Sequence, residues 1–337
     1  MMNLKCLFLL VSSAFYGVTA MAASETTSSE SKEQATSKGQ AIVKVFTNFH
    51  TGFGTMNDCR GFELDRSYLG YEYNLGHGLK VKGVMDIGKS SDVGDYQRIA
   101  YIKNAMLTWK YQKLTLNGGL ISTIQFGTQE KFWGNRYVMK SFQDYYGFGS
   151  SADLGLSVAY KFNNWLSVDA ILVNGEGYKK VQVEDGLQYG AGITLKPVGG
   201  LTLRLYGSLN ETADKEGKDS YNFASFIGYK NQSFSLACEY NKVQHSKYIP
   251  NNNMDGVSVY GTAKVSNSIS VFGRYDQLFV SDAGDQEKEE YKLIGGVEFK
   301  IGKYIKLAPN IRYFHPTNSG INKKSYCMAY INCYFGI

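Results

Sequence analysis

The sequence predicts an all-β fold: a closed antiparallel transmembrane β-barrel of about 16 strands, with short periplasmic turns, long external loops and an inward-folded third loop. Three observations predict it. Two-residue alternation of apolar and polar side chains runs from Ala41 almost to the C-terminus. The connections between the alternating segments are short and long by turns. Beyond the N-terminus no run of about 18 apolar residues exists to cross a membrane as a helix.

Composition agrees with this class. Tyr 26, Phe 19 and Gly 37 are high among the 337 residues and Pro 4 is low, which suits long strands and tight turns. A mean hydropathy of -0.27 suits a soluble protein. It suits equally a barrel whose lipid-facing residues alternate with polar ones facing a wet lumen.

Residues 1–22 read as a signal peptide. Lys5 gives it a short positive n-region, Cys6–Val18 is an apolar core of about 13 residues, and Ala20-Met21-Ala22 forms a small-residue cleavage site. Residues 23–40 are rich in Ser, Thr, Glu and Lys without apolar periodicity and read as a disordered polar lead-in. The barrel then occupies 41–337.

The first strand alternates Val43, Val45, Thr47 and Phe49 against Lys44, Phe46, Asn48 and His50. Four more strands are expected at Gly61–Leu75, Leu79–Ser90, Ile99–Tyr111 and Leu114–Phe126. After the long third loop come Ala152–Phe162, Trp165–Asn174, Leu187–Lys196, Leu201–Asn210, Tyr221–Lys230 and Ser233–Val243. Val257–Val265, Ser268–Val280, Tyr291–Ile301, Tyr304–Phe314 and Ser325–Ile337 complete the set. Between them lie short turns such as Gln112-Lys113 and Asn163-Asn164, and long polar loops such as Gly175–Gly186 and Gln244–Gly256. An even strand count with short turns on the periplasmic side puts both ends of the barrel there.

Aromatic residues gather at both ends of the strands, as two interfacial girdles require. Tyr71, Trp109, Trp165, Tyr304 and Tyr334 lie near short turns, and Phe53, Phe62, Tyr178, Tyr221 and Tyr291 near long loops. The last strand presents Ile331, Cys333, Phe335 and Ile337 on one face. This is similar to the terminal signal read by the outer-membrane assembly machinery, with Ile in place of the usual final aromatic.

Thr128–Ser150 is the longest interval without alternation. Folded inward, its Glu130, Lys131, Arg136, Lys140 and Asp144 would set opposed charges across a pore constriction. Its aromatics would pack it to the wall or, alternatively, form a stacking surface for sugars; a further reading leaves the loop outside as a receptor or adhesion surface. On the strands, the register opposite the lipid face carries Arg66, Arg204, Arg274, Arg312, Lys80 and Lys82, with fewer acids. Together with the net charge of +6, this predicts a lumen wall that attracts anions.

Cys59, Cys238, Cys327 and Cys333 remain after cleavage. Cys327 and Cys333 lie six apart in one strand, so about 20 Å separates them. A disulfide needs less than about 7 Å. The histidines are scattered, and neither a metal nor a cofactor is expected. No nucleic-acid motif is present, and no Ser/His/acid grouping points to an enzyme.

Gly61–Tyr73 (GFELDRSYLGYEY) and Trp133–Gly155 (WGNRYVMKSFQDYYGFGSSADLG) resemble segments of outer-membrane porins of Bacteroidetes type. The whole resembles the 16-stranded porins, including the phosphate-selective porin O/P family. The resemblance implies passive diffusion of small hydrophilic solutes or anions across the outer membrane of a Gram-negative bacterium. It also implies a homotrimer set in outer-membrane lipid. The alternative is a non-conducting outer-membrane barrel with an adhesive or structural role.

Overall fold

In the computed structural model, residues 39–89, 98–180, 185–281, 288–318 and 324–337 are described. The expected signal peptide and nearly all of the lead-in lie outside them. Sixteen strands close into one antiparallel barrel in which every strand pairs with its sequence neighbours and β1 pairs with β16. They are β1 (Gly39–Phe53), β2 (Arg60–Gly76), β3 (Leu79–Lys89), β4 (Arg98–Tyr111), β5 (Leu114–Ser122), β6 (Ala152–Lys161), β7 (Leu166–Val173) and β8 (Gln188–Leu195). The second half comprises β9 (Leu201–Asn210), β10 (Ser220–Lys230), β11 (Phe234–Gln244), β12 (Met254–Lys264), β13 (Ile269–Val280), β14 (Glu290–Ile301), β15 (Ile305–Pro316) and β16 (Tyr326–Gly336). The closing seam runs in register from Lys44 opposite Gly336 to Phe53 opposite Cys327. Closure gives every strand two hydrogen-bonding neighbours, the condition for a sheet to stand in hydrocarbon.

The two faces are inverted relative to a soluble barrel. On β9, Thr202, Arg204 and Tyr206 are buried, while Leu205 is 51% exposed. On β10, Asn222, Ala224 and Phe226 are buried, while Tyr221, Phe223 and Ile227 are 47%, 46% and 50% exposed. Apolar side chains therefore face outward and polar or charged ones inward, the pattern a lipid-exposed barrel requires. Placing a cation at the middle of the outer face tests this. Ile227→Arg should cost about 2–4 kcal/mol and sharply lower the yield of heat-modifiable folded protein in lipid. Unimpaired folding would contradict the outward assignment.

Turn chemistry explains the tight ends. Gly78 between β2 and β3 has φ +79, and a Cβ there would lie 2.0 Å from the Lys110 carbonyl oxygen. Only glycine fits both conditions.

Three differences from the sequence reading have physical causes. β5 ends at Ser122 rather than Phe126, because Gln125 and Phe126 are buried with the loop that follows. Two expected girdle aromatics point inward instead. The Tyr334 ring packs 5.9 Å from Tyr137 of the third loop, and the Tyr178 hydroxyl bonds to Asp86. Strand-end position predicts depth along the barrel, but alternation with the outward Ile331 and Phe335 decides the face of Tyr334 and a wall partner that of Tyr178.

Candidate functional site

Thr123–Ser151 connects β5 to β6 and contains two short helices, α1 (Gly127–Trp133) and α2 (Phe142–Tyr146). Each ends on a left-handed glycine, Gly134 (φ 69) and Gly147 (φ 77). These are ordinary helix stops. They are also the local signal by which both helices could have been found in the sequence.

The segment packs against inward-facing residues of β10 to β16. The Phe132 ring lies 5.0 Å from Phe226, and Trp133 meets Tyr260 edge-on at 5.7 Å. Backbone carbonyls on the same side accept from the wall. Tyr260 donates to the Gln129 carbonyl at 3.1 Å and Arg274 to that of Lys140 at 2.7 Å. Arg312 donates to the Val138 carbonyl at 2.7 Å and Asn332 to that of Tyr137 at 3.1 Å. The Tyr137 and Tyr146 hydroxyls donate to Glu298 at 3.0 Å and Glu290 at 3.1 Å. Lys292 sits 3.4 Å from the centre of the Tyr145 ring and 3.0 Å from Glu290. The apolar core therefore lies inside the barrel, with Trp133, Tyr137, Phe226, Tyr260 and Phe272 in one cluster. Without these partners the segment's buried carbonyls would go unsatisfied, a cost of about 1–3 kcal/mol each.

Arg136 turns the other way, toward β2. It pairs with Asp144, lies 3.2 Å from Glu130, and donates to the Tyr68 hydroxyl at 3.2 Å. Lys140 stands 3.6 Å from Asp144. Burial disfavours charge on Asp144, but Arg136 and Lys140 outweigh it and hold its carboxyl down to about 2. Burial pulls the Lys140 ammonium down; Asp144 partly offsets this, while Arg66 and Arg136 add to it. Four of the five expected constriction residues thus form one charge cluster. Lys131 stands apart from it and is exposed.

Between this segment and β1 to β4 remains a cavity of about 450 Å³. Its charged lining comprises Lys44, Lys82, Lys103, Lys131, Arg136 and Lys306 against Glu130. Among the described residues Lys44, Lys82, Lys103 and Lys131 make no salt bridge. Lys103 instead donates to the Ser151 hydroxyl at 2.9 Å and lies 5.1 Å over each of the Tyr68 and Tyr178 rings.

The expected wall cations behave differently from one another. Arg66 pairs with Asp86 at 3.2 Å, Lys80 with Glu72 at 2.7 Å, Arg204 with Asp169 at 2.7 Å and Arg274 with Asp276 at 2.7 Å. These four are neutralised. Among the described residues Arg312 has no carboxylate in its hydrogen bonds: it bonds to Asn310 and Asn332 and lies 3.6 Å over the Tyr330 ring. Lys82 alone of the six lines the cavity. Alternation assigns a residue to a face, but it does not say which acid on the next strand will lie beside it. Lys103 was missed for a related reason. The pairing of β3 with β4 slips between Val84 and Met85, so both Lys103 and Asn104 reach the cavity. Alternation counted back from Leu107 puts Lys103 on the lipid side, whereas counted forward from the outward Ile102 it puts Lys103 inward and Asn104 outward; the bulge lets both face inward.

No protein-family model matches the chain, and no curated protein matches it in sequence. Solved structures do match. OprB of Pseudomonas putida aligns at 12% identity and a TM-score of 0.67, over 89% of this chain and 94% of that one. The anion-selective porin from Comamonas acidovorans aligns at 13% identity and a TM-score of 0.65, over 89% and 99%. OmpT of Vibrio cholerae, an outer-membrane protein, aligns at 15% identity and a TM-score of 0.62, over 93% and 100%. At these identities the likeness is one of fold: the chain has the barrel architecture of the outer-membrane porins.

Proposed function

We propose that the protein is an outer-membrane porin of a Gram-negative bacterium, a passive channel for small hydrophilic solutes that prefers anions, phosphate among them. The observation that carries this reading is the cavity beside the third loop, where four lysines make no salt bridge among the described residues. Fixed cations along a water-filled path between low-dielectric walls raise the local anion concentration and repel cations. The third loop narrows the lumen, and Arg136, Lys140, Glu130 and Asp144 form its charged edge, while Lys131 lines the cavity apart from them without a salt bridge among the described residues. Arg66, Arg204 and Arg274 hold the wall rather than contact solute, since each is engaged by a carboxylate. Movement follows the concentration gradient alone. The same reading carries a homotrimer in outer-membrane lipid, reached through the outer-membrane assembly machinery, without enzymatic activity.

Planar-bilayer conductance of the refolded protein, with the reversal potential read across a KCl gradient, tests it. Open channels that prefer chloride are expected, with phosphate reducing the chloride current. Potassium preference would remove the lysine assignment. Correctly folded protein without conductance would turn the reading to an adhesive or structural barrel.

A further inference from the structure

The cavity is not uniformly cationic. Along the inward face of β1 its lining reads Ile42, Lys44, Phe46, an apolar–cationic–apolar sequence on one face of a strand. On β3 Lys82 is followed by Val84 in the same way. The Phe46, Tyr137 and Tyr334 rings complete the apolar part, with centroids 5.8 Å apart for Phe46 and Tyr334 and 6.5 Å for Phe46 and Tyr137. Phe46 and Tyr334 are direct cross-strand partners across the closing seam, so this arrangement is fixed by barrel register rather than by a loop.

An inorganic anion gains nothing from such a floor. The apolar side chains offer no hydrogen bond in exchange for the water it sheds, and its attraction is to the ammonium groups alone. A neutral sugar would use the rings but would leave the unpaired lysines without purpose. An anion with a flat apolar body uses both. Its charged end meets a lysine on a flexible stem, and its ring removes apolar area from water against Ile42, Phe46 and Tyr334. A volume of about 450 Å³ admits such a molecule with water around it.

Resting on the reading of the protein as an anion-preferring porin, we infer that the cavity between the third loop and β1–β4 is a binding station for organic anions with a planar apolar body, aromatic carboxylates being the simplest. The chemistry that selects is the alternation of unpaired lysines with apolar side chains on adjacent inward positions. The solute is held without covalent change and leaves down its gradient.

The experiment compares two sodium salts, benzoate and acetate, as inhibitors of chloride current through single channels in a planar bilayer. Both are carboxylates of the same charge. Benzoate should halve the current at a concentration about tenfold below that of acetate, the difference expected from burying a ring. In Ile42→Ser combined with Tyr334→Ser that ratio should fall to about twofold or less. If the double variant does not assemble, Ile42→Ser alone, at a half-buried position, should lower the ratio measurably. Equal inhibition by the two salts in a channel that prefers chloride to potassium would overturn the organic-anion station and leave the anion-preferring porin standing. A tenfold ratio surviving in the variants would overturn the role given to the apolar floor. A native channel that prefers potassium would overturn the reading beneath both.

Discussion

Replacing Arg136 by Ala should lower the preference for chloride over potassium by about fivefold, whereas Lys131→Ala should lower it by about twofold or less. Each substitution removes one cation, so charge counting alone predicts equal effects. The difference comes from what each holds. Lys131 is exposed and makes no salt bridge among the described residues, so its loss subtracts one charge from the lining. Arg136 compensates Asp144 and Glu130, and its other nitrogen bonds the Tyr68 hydroxyl on the facing wall. Without it Asp144 keeps Lys140 at 3.6 Å as its salt-bridge partner among the described residues, and Glu130 loses the ion pair it makes at 3.2 Å. The Asp144 carboxyl, held at about 2 by these cations, is ionised at any neutral pH, so the freed charge is negative. Arg136→Lys should recover only part of the preference, because an ammonium does not reproduce the fork that reaches two carboxylates and a hydroxyl. A carboxyl depressed in the folded state stabilises the loop fully above its unfolded value near 3.8, and that contribution is lost as pH falls through about 2. Reversal potentials of the native protein and the three variants in one KCl gradient decide the matter. Equal shifts for Arg136→Ala and Lys131→Ala would sink the account of the charged edge.

Arg274→Met should reduce barrel stability by about 3–5 kcal/mol and make single-channel currents larger and noisier. Arg274 and Asp276 are both inward on β13 and nearly inaccessible, with side-chain exposures of 1% and 0%. Removing the arginine leaves a buried carboxylate that keeps, among the described residues, the Ser258 hydroxyl at 2.6 Å and Lys292 opposite it on β14, but no guanidinium fork. The same substitution takes away the donor to the Lys140 carbonyl and the cation 5.1 Å over the Trp133 ring. The two consequences separate in a second variant. Arg274→Met with Asp276→Leu replaces the whole pair by apolar groups and should recover most of the stability. It does not restore the hydrogen bond to the loop, so the altered current should persist. Denaturant titration in detergent reads the first effect and single-channel recording the second. If both variants give native-like current traces, the wall does not hold the loop.

Much of the barrel was legible in the sequence because its determinants are local. Alternation with period two is a property of each strand by itself, and Leu201, Leu203 and Leu205 against Thr202, Arg204 and Tyr206 declare their faces without reference to any neighbour. Loop length is equally local, and the order of short and long connections follows from chain direction in an antiparallel sheet. The helices α1 and α2 were not foreseen, although Gly134 and Gly147 end them. Five- and seven-residue helices have too little periodicity to stand out among aromatic residues.

The candidate site was less legible, and for a different reason. The sequence by itself determined which residues share the register opposite the apolar face of a regular strand, Arg66, Lys80, Lys82, Arg204, Arg274 and Arg312 among them. It also marked Thr128–Ser150 as the place where the strand pattern fails. Only the tertiary structure decided which of those cations remain unpaired. Arg204 meets Asp169 from two strands away, and one bulge in β4 lets Lys103 and Asn104 both line the cavity. Charge compensation depends on distances between side chains far apart in sequence, fixed by register and closure. A rule that reads one strand at a time contains the face of a residue but not its neighbour.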